Sequence, residues 1–485
     1  GVTGAIVVKE EVWPMQVSRR RLLAETGFGA AALAGGSVLQ REALSQEAGE
    51  RPQQDASVRV LNPQARVPVS LIIDDSTCLV NLAHYAIPQF AAVFPDRYRQ
   101  DWRKLPREIP DTFVREFGEW CRLHGVKGKY SVVPCPALVG WVDREMPGWT
   151  KRELVRSLDL VRDFMTVDWD IHPEMVTHTW AINTKTGRPY PERTEAFQEN
   201  WGFSVGKSVD ELTDYLAYAL RILKNAGLPC EGVTTPGGFG SRVMPQLSRA
   251  TLESCRDVYG VSLAHYFRNL FTDDRSVVPL VENVRGLAGD DPQAVVSIVG
   301  CTGDWFGGWD GLQIGSSDRF ITADLEGGRL PEVIARGEPA VMVCHWPGIY
   351  CNDSRDGLRI FQTVVQRLHA RYDNLLWMKP SEIARAWAAR ELTAISREAG
   401  RVHLQAPFAA ADFTMEIATP QPQAVRRVQR FPGRGAVALP VAAGVDLREV
   451  ADPRALVEGT WCRGEASVTV CVPLPRGASV VEVGG

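Results

Sequence analysis

The stretch Val69-Ser70-Leu71-Ile72-Ile73-Asp74-Asp75-Ser76-Thr77 is a short apolar run that stops on two adjacent carboxylates. A run without polar alternation is what a strand buried on both faces of a parallel sheet presents. The pattern around it agrees. In 111–124 the apolar residues Phe113, Phe117, Trp120 and Leu123 recur at helical spacing, with Gly125 as the stop. Strands are predicted at 130–133, 175–177, 232–235, 294–299, 340–344 and 375–378. Helices are predicted at 151–164, 209–226, 358–372 and 381–389. Alternation of this kind gives about seven βα units, enough to close a barrel whose site lies at the C-terminal strand ends.

Beyond about Gly400 helical periodicity disappears. Runs at 436–441, 468–472 and 479–483, separated by Gly and Pro, predict a small all-β, sandwich-like domain. The stretch 35–66 is polar and lacks an apolar period, so it reads as a linker. Ahead of it, Ser18-Arg19-Arg20-Arg21-Leu22-Leu23 precedes an Ala/Gly-rich stretch at 27–33 and a small-x-small site at Ala32-Leu33-Ala34. These residues resemble a twin-arginine export signal, with Met15 as the natural start and a periplasmic or extracellular destination. The expected boundaries are 1–34 for the upstream extension and signal, 35–66 for the linker, 67–398 for the barrel and 399–485 for the β-rich domain.

Composition narrows the partners. A net charge of -4 leaves no basic excess for a phosphate backbone, so nucleic acid is not an expected partner. No run approaches the ~20 apolar residues of a membrane span, so no stable membrane insertion is expected. The 14 Trp offer flat apolar faces that suit sugar rings as well as cores. The ten Cys show no CxxC pair, which argues against a structural zinc site. Cys462 and Cys471 fall in one expected hairpin and are placed to bridge.

Chemistry concentrates at strand ends. Two neighbouring carboxylates such as Asp74 and Asp75 need a cation, a metal or a shared proton to be tolerated away from water. His178 ends an expected strand as a candidate metal ligand or base, and His172 can join it only if the chain bends at Pro173. His345, before Trp346-Pro347-Gly348, is a candidate general acid or third ligand. Asp304-Trp305, in a Gly-rich loop, is placed to orient a histidine or bind hydroxyls.

Together these residues resemble the polysaccharide deacetylase (NodB-type) family, within a superfamily of glycoside hydrolases and deacetylases. Its T-F-D-D motif is matched by Ile72-Ile73-Asp74-Asp75. Its H-[ST]-x-x-H-P motif is compared with His178-Thr179-Trp180-Ala181-Ile182-Asn183. The R-x-P-Y-G loop is compared with Thr234-Thr235-Pro236-Gly237-Gly238, D-x-x-D-W with Asp304-Trp305, and L-x-H with Val343-Cys344-His345. The resemblance implies a distorted (β/α)7 barrel and a divalent metal, zinc being the expected one. It implies Asp74 as base, Asp75 and His178 as ligands, His345 as acid or third ligand with Asp304 beside it, and a carbohydrate held by Trp180, Pro236, Trp305 and Trp346. Ile182 and Thr234 stand where the family keeps a ligand His and an orienting Arg, so a third ligand is sought among His345, His84 and Asp304. Metal-assisted deacylation is the first expectation. A glycosidase using two of Asp74, Asp75, Glu174 and Asp304, and a glycan-binding barrel without activity, are the alternatives.

Overall fold

The computed structural model describes residues 48–419, 424–429 and 444–484. The expected export signal, the start of the expected linker and the run at 436–441 lie outside them. Among the described residues no helix is long and apolar enough to cross a membrane.

The first strand, β1 (Val58–Val60), belongs to the C-terminal part, and the strands that carry the expected site are β2 (Val67–Asp74), β3 (Gly128–Ser131), β4 (Trp169–His172), β5 (Gly232–Thr234), β6 (Leu263–Leu270), β7 (Leu280–Arg285), β8 (Gln293–Gly300), β9 (Ala340–His345) and β10 (Leu375–Trp377). The helices between them are α1 (Leu82–Ala91), α2 (Asp111–Leu123), α3 (Lys151–Asp163), α4 (Val209–Asn225), α5 (Met244–Tyr259), α6 (Asp356–Arg371) and α7 (Pro380–Leu392). Both α3 and α4 begin with a reciprocal capping box, Thr150 with Glu153 and Ser208 with Glu211.

All eight residues of β2 are buried, as its unbroken apolar run requires. It pairs in parallel with β9, β3 and β10, and β3 with β4. A second sheet runs β5-β6-β8-β7, parallel except for β7. Two edges meet through isolated contacts instead of a ladder: the Thr234 N–H donates to Pro173 O at 3.1 Å beside a bridge to Glu174, and the Cys301 N–H donates to Val341 O at 2.8 Å beside a bond from the Val343 N–H to Thr302 Oγ1 at 3.0 Å. The expected closed (β/α)7 barrel is therefore corrected to two open sheets facing each other across two seams. At the first seam β4 ends before Pro173, which has no N–H for a ladder, and β5 is only three residues long.

Several elements escape the sequence pattern, among them α1, β4, α5, β6 and β7; β6 carries His265, Arg268 and Asn269 among its apolar residues, which disguises it. The strand expected at 175–177 is a loop, because β4 has already ended at His172 and Met175 turns to φ +52°.

The C-terminal part consists of two five-stranded sheets. They share one apolar cluster that includes Val402, Leu404, Met415, Ile417, Val470 and Val481. The strand β1, inside the expected linker, pairs antiparallel with Ala410–Ala418. That stretch is thus an edge strand of the C-terminal sheet, its Val58 and Val60 buried in the shared cluster. Cys462 lies opposite Thr469 and Cys471 opposite Thr460, so the two thiols do not face each other and both are free.

Candidate functional site

The chain leaves β2 through Asp75, which adopts φ +60°. An Asp tolerates this left-handed turn better than most residues. The turn splits the pair. Asp74 points to β3, where its Oδ1 lies 2.5 Å from the Nζ of Lys129. Lys129 is fully buried and also donates to Ile73 O at 2.8 Å and Ser131 Oγ at 2.7 Å, which uses its three protons. Burial holds the Asp74 carboxyl above its usual range, against the pull of Lys129.

Asp75 turns instead toward Glu174 and His178. Its N–H donates to Glu174 Oε2 at 2.8 Å. The Nε2 of His178 lies 2.7 Å from Asp75 Oδ1 and 3.3 Å from Glu174 Oε1, and all three side chains are buried. Asp75 and His178 thus form a buried ion pair, and one ligand atom from each of Asp75, Glu174 and His178 lies within 4.8 Å of the others. Burial opposes ionisation of Asp75, yet His178 and then His345 hold its carboxyl below the usual range. Burial likewise opposes protonation of His178, but Asp75 and Glu174 hold its imidazole well above the usual range. Two carboxylates and an imidazole in this arrangement fit a divalent cation, which would displace the imidazolium proton.

Glu174 and His178 are four residues apart, the spacing of the two family histidines. The structure brings both of them to Asp75, so Glu174 joins the expected pair Asp75 and His178. Ile182 is buried, its N–H donating to the Tyr215 hydroxyl at 3.1 Å. Thr234 does stand without a cation, its Oγ1 facing His172 Nδ1 at 3.1 Å, and Lys129 on β3 provides the charge beside Asp74.

Behind the site, Glu199 accepts the N–H groups of Val176 and Thr177 at 3.1–3.2 Å and of His178 at 2.6 Å, and its carboxylate also takes the Tyr215 hydroxyl. Burial pushes its carboxyl up to about 7, opposed first by the Tyr215 hydroxyl. This clamp fixes the loop in which His178 itself sits at φ +64°. Glu199 lies 21 residues beyond the nearest ligand, and no spacing announces it.

On the neighbouring strand His345 stands in register with Asp74. Its Nδ1 is 2.9 Å from Asp304 Oδ2, and its N–H reaches Asp304 Oδ1 at 3.3 Å. Burial opposes protonation of His345, but Asp304 and then Asp75 push its imidazole up to about 10. Burial raises the Asp304 carboxyl against the pull of His345. These two are the most open members of the group, with side chains 28% and 22% exposed, so the site opens to solvent on their side.

The remaining expected residues lie elsewhere. Trp346 is fully buried among Phe113, Phe117 and Tyr130, because the chain turns inward as Trp346–Tyr350 directly after His345, so its expected contact with substrate is corrected. Trp180 is buried under Arg193, and Pro236 is buried as well. Trp305 is half-buried between Phe320 and Arg319. His84 is turned to Leu105 O at 2.8 Å. His172 pairs with His265, Nε2 to Nε2 at 2.8 Å, near Asp170, so it shares no centre with His178. An unexpected aromatic group adjoins the site: the Phe90 ring lies 6.3 Å from His178 and meets Tyr98, Trp201 and Trp309, all three half-buried.

No protein-family model matches the chain, and no curated protein matches it. Among solved structures it is similar to the PuuE allantoinase, at 12% identity and a TM-score of 0.34, over 70% of this chain and 94% of that one. It is similar to a probable polysaccharide deacetylase from Pseudomonas aeruginosa PAO1, at 10% identity and 0.32, over 67% and 91%. A mutant of a CE4 family pseudoenzyme with restored enzymatic activity follows at 12% and 0.28, over 67% and 70%. Likenesses this distant name no family for the chain.

Proposed function

We propose that this chain is a divalent-metal-assisted hydrolase that removes an acyl group from a carbohydrate, with Asp75, Glu174 and His178 as the metal ligands. One observation carries the reading: a buried charge count that needs a cation. Asp74 has Lys129 and Asp304 has His345. Among the described residues, Asp75 and Glu174 share one ionic contact partner, the imidazole of His178. Two buried carboxylates sharing one titratable partner are costly unless a cation joins them.

When bound, the cation supplies Lewis-acid polarisation of the acyl oxygen. The side chains supply the rest. Asp74, held in one orientation by Lys129, accepts the proton of the attacking water. His345, kept protonated by Asp304, donates a proton to the departing alcohol or amine. Asp304 fixes which imidazole nitrogen faces the substrate, since Nδ1 is committed to it. The acyl carbohydrate follows from the deacetylase-like order of Asp74-Asp75, His178, Asp304 and His345 along the chain; the adjacent rings of Phe90, Tyr98, Trp201 and Trp309 suit a sugar face.

The test uses the whole chain with and without divalent metal on a panel of acetylated oligosaccharides, with acetate and new reducing ends both measured. Metal-dependent acetate release that disappears in Asp75→Ala and Glu174→Ala supports the proposal. Reducing ends without acetate would make the chain a glycosidase, and oligosaccharide binding without either product would make it a glycan-binding protein.

A further inference from the structure

The donor set at this site is unusual in its balance: two carboxylates, Asp75 and Glu174, against one imidazole, His178. Glu174 is committed as an oxygen donor. Its Oε2 is occupied by the Asp75 N–H, which leaves Oε1 facing His178 Nε2. Among the described residues no second imidazole joins the three ligand atoms that converge here: His345 is not in the group, and His172 is turned to His265 and Thr234.

Ligand chemistry then separates the metals. Carboxylate and water oxygen suit Mg2+, Ca2+ and Mn2+, whereas each added imidazole moves a site toward the later, more tightly held ions such as zinc. The charge agrees with this. Asp75 and Glu174 together cancel a divalent cation, so the filled centre is neutral, while replacing one carboxylate by imidazole leaves it positive. Three protein donors plus water suit a catalytic zinc as well, so the oxygen-to-nitrogen balance of the donors, and not their number, separates the ions.

We infer that Glu174 makes this an oxygen-rich centre whose preference is shifted toward hard divalent cations of the Mn2+ class and away from the zinc expected from the sequence. The inference rests on the metal-site reading above and goes beyond it by naming the class of ion and the residue that sets it.

The test measures affinities, not turnover. The whole chain is stripped with a chelator, and Mn2+ and Zn2+ are titrated separately against a competing chromophoric chelator, in wild type and in Glu174→His. The expected result is that the ratio of Zn2+ to Mn2+ affinity rises by at least about tenfold in Glu174→His, as the added imidazole favours the later ion. An unchanged or smaller ratio overturns the inference while leaving the metal site itself in place. Binding of neither ion to the wild type overturns the metal site, and the inference with it. Wild-type protein loaded with Mn2+ gives a second reading that does not depend on the variant folding: pulsed paramagnetic resonance should count one imidazole nitrogen on the ion, and two would overturn the inference.

Discussion

Lys129 Nζ and Asp74 Oδ1 lie 2.5 Å apart on neighbouring strands β3 and β2 of the first sheet, with the lysine wholly shielded from water. Truncating one partner of a buried pair leaves the other as an uncompensated charge, at a cost of about 3–5 kcal/mol. Lys129→Met should therefore lower unfolding free energy by about that amount, and Lys129→Met combined with Asp74→Asn should recover most of it. Urea denaturation of the four proteins in this cycle measures the coupling. Additive losses would show that the pair is not a unit.

The clamp around Glu199 makes a different prediction. Its carboxylate holds the N–H groups of Val176, Thr177 and His178, so its loss should loosen His178 without removing any ligand. Losing a residue that holds a metal ligand in place costs roughly 10–100-fold in metal affinity, and Glu199→Ala should fall in that range for Mn2+. Tyr215→Phe, which removes one donor to the same carboxylate, should weaken binding less. Equal affinity in all three proteins would reduce the clamp to a fold element.

These two partners also show where the sequence was readable. Asp74 and Asp75 stand out because an apolar run ends on them, and His345 because a turn follows it; strand ends are legible from periodicity. Lys129 carried a usable signal, a cation inside a buried strand, where it can persist only with an anion opposite. Glu174 was legible only as a candidate glycosidase carboxylate; its place beside Asp75 and His178 depends on a loop in which Met175 and His178 take positive φ, which no spacing announces. Nothing in spacing brings Glu199 to His178, because that contact depends on a loop closing across the strand ends. The seams between the two sheets were equally invisible, being set by where short strands stop.

The His345–Asp304 pair should act in turnover and not in metal binding. Asp304→Asn removes the charge that keeps His345 protonated while preserving shape. Loss of a positioned proton donor typically costs about 10²–10⁴-fold in rate. We expect kcat for acetate release to fall in that range in His345→Asn and less in Asp304→Asn, with Mn2+ affinity unchanged in both. A fall in affinity of tenfold or more would place His345 among the ligands.

A last prediction concerns stability far from the site. Glu282 on β7 is buried, its Oε2 accepting from Ser248 Oγ at 2.5 Å and from the Tyr266 hydroxyl at 2.9 Å, while Oε1 has no partner. Burial pushes its carboxyl from 4.5 up to about 7, opposed by these two hydroxyls. The folded state therefore keeps a proton that the unfolded chain gives up, so this group's contribution is fully present below about pH 4.5 and is lost as pH rises through about 7. At about 1.4 kcal/mol per pH unit, the difference across that window is on the order of 3 kcal/mol. Glu282→Gln keeps the shape and cannot ionise. Relative to wild type it should gain on the order of 2–3 kcal/mol between pH 4.5 and pH 8, read from urea midpoints at the two values. A constant difference between the two proteins across this range would mean that Glu282 is ionised in the folded state, with its charge met by a partner that burial alone does not provide.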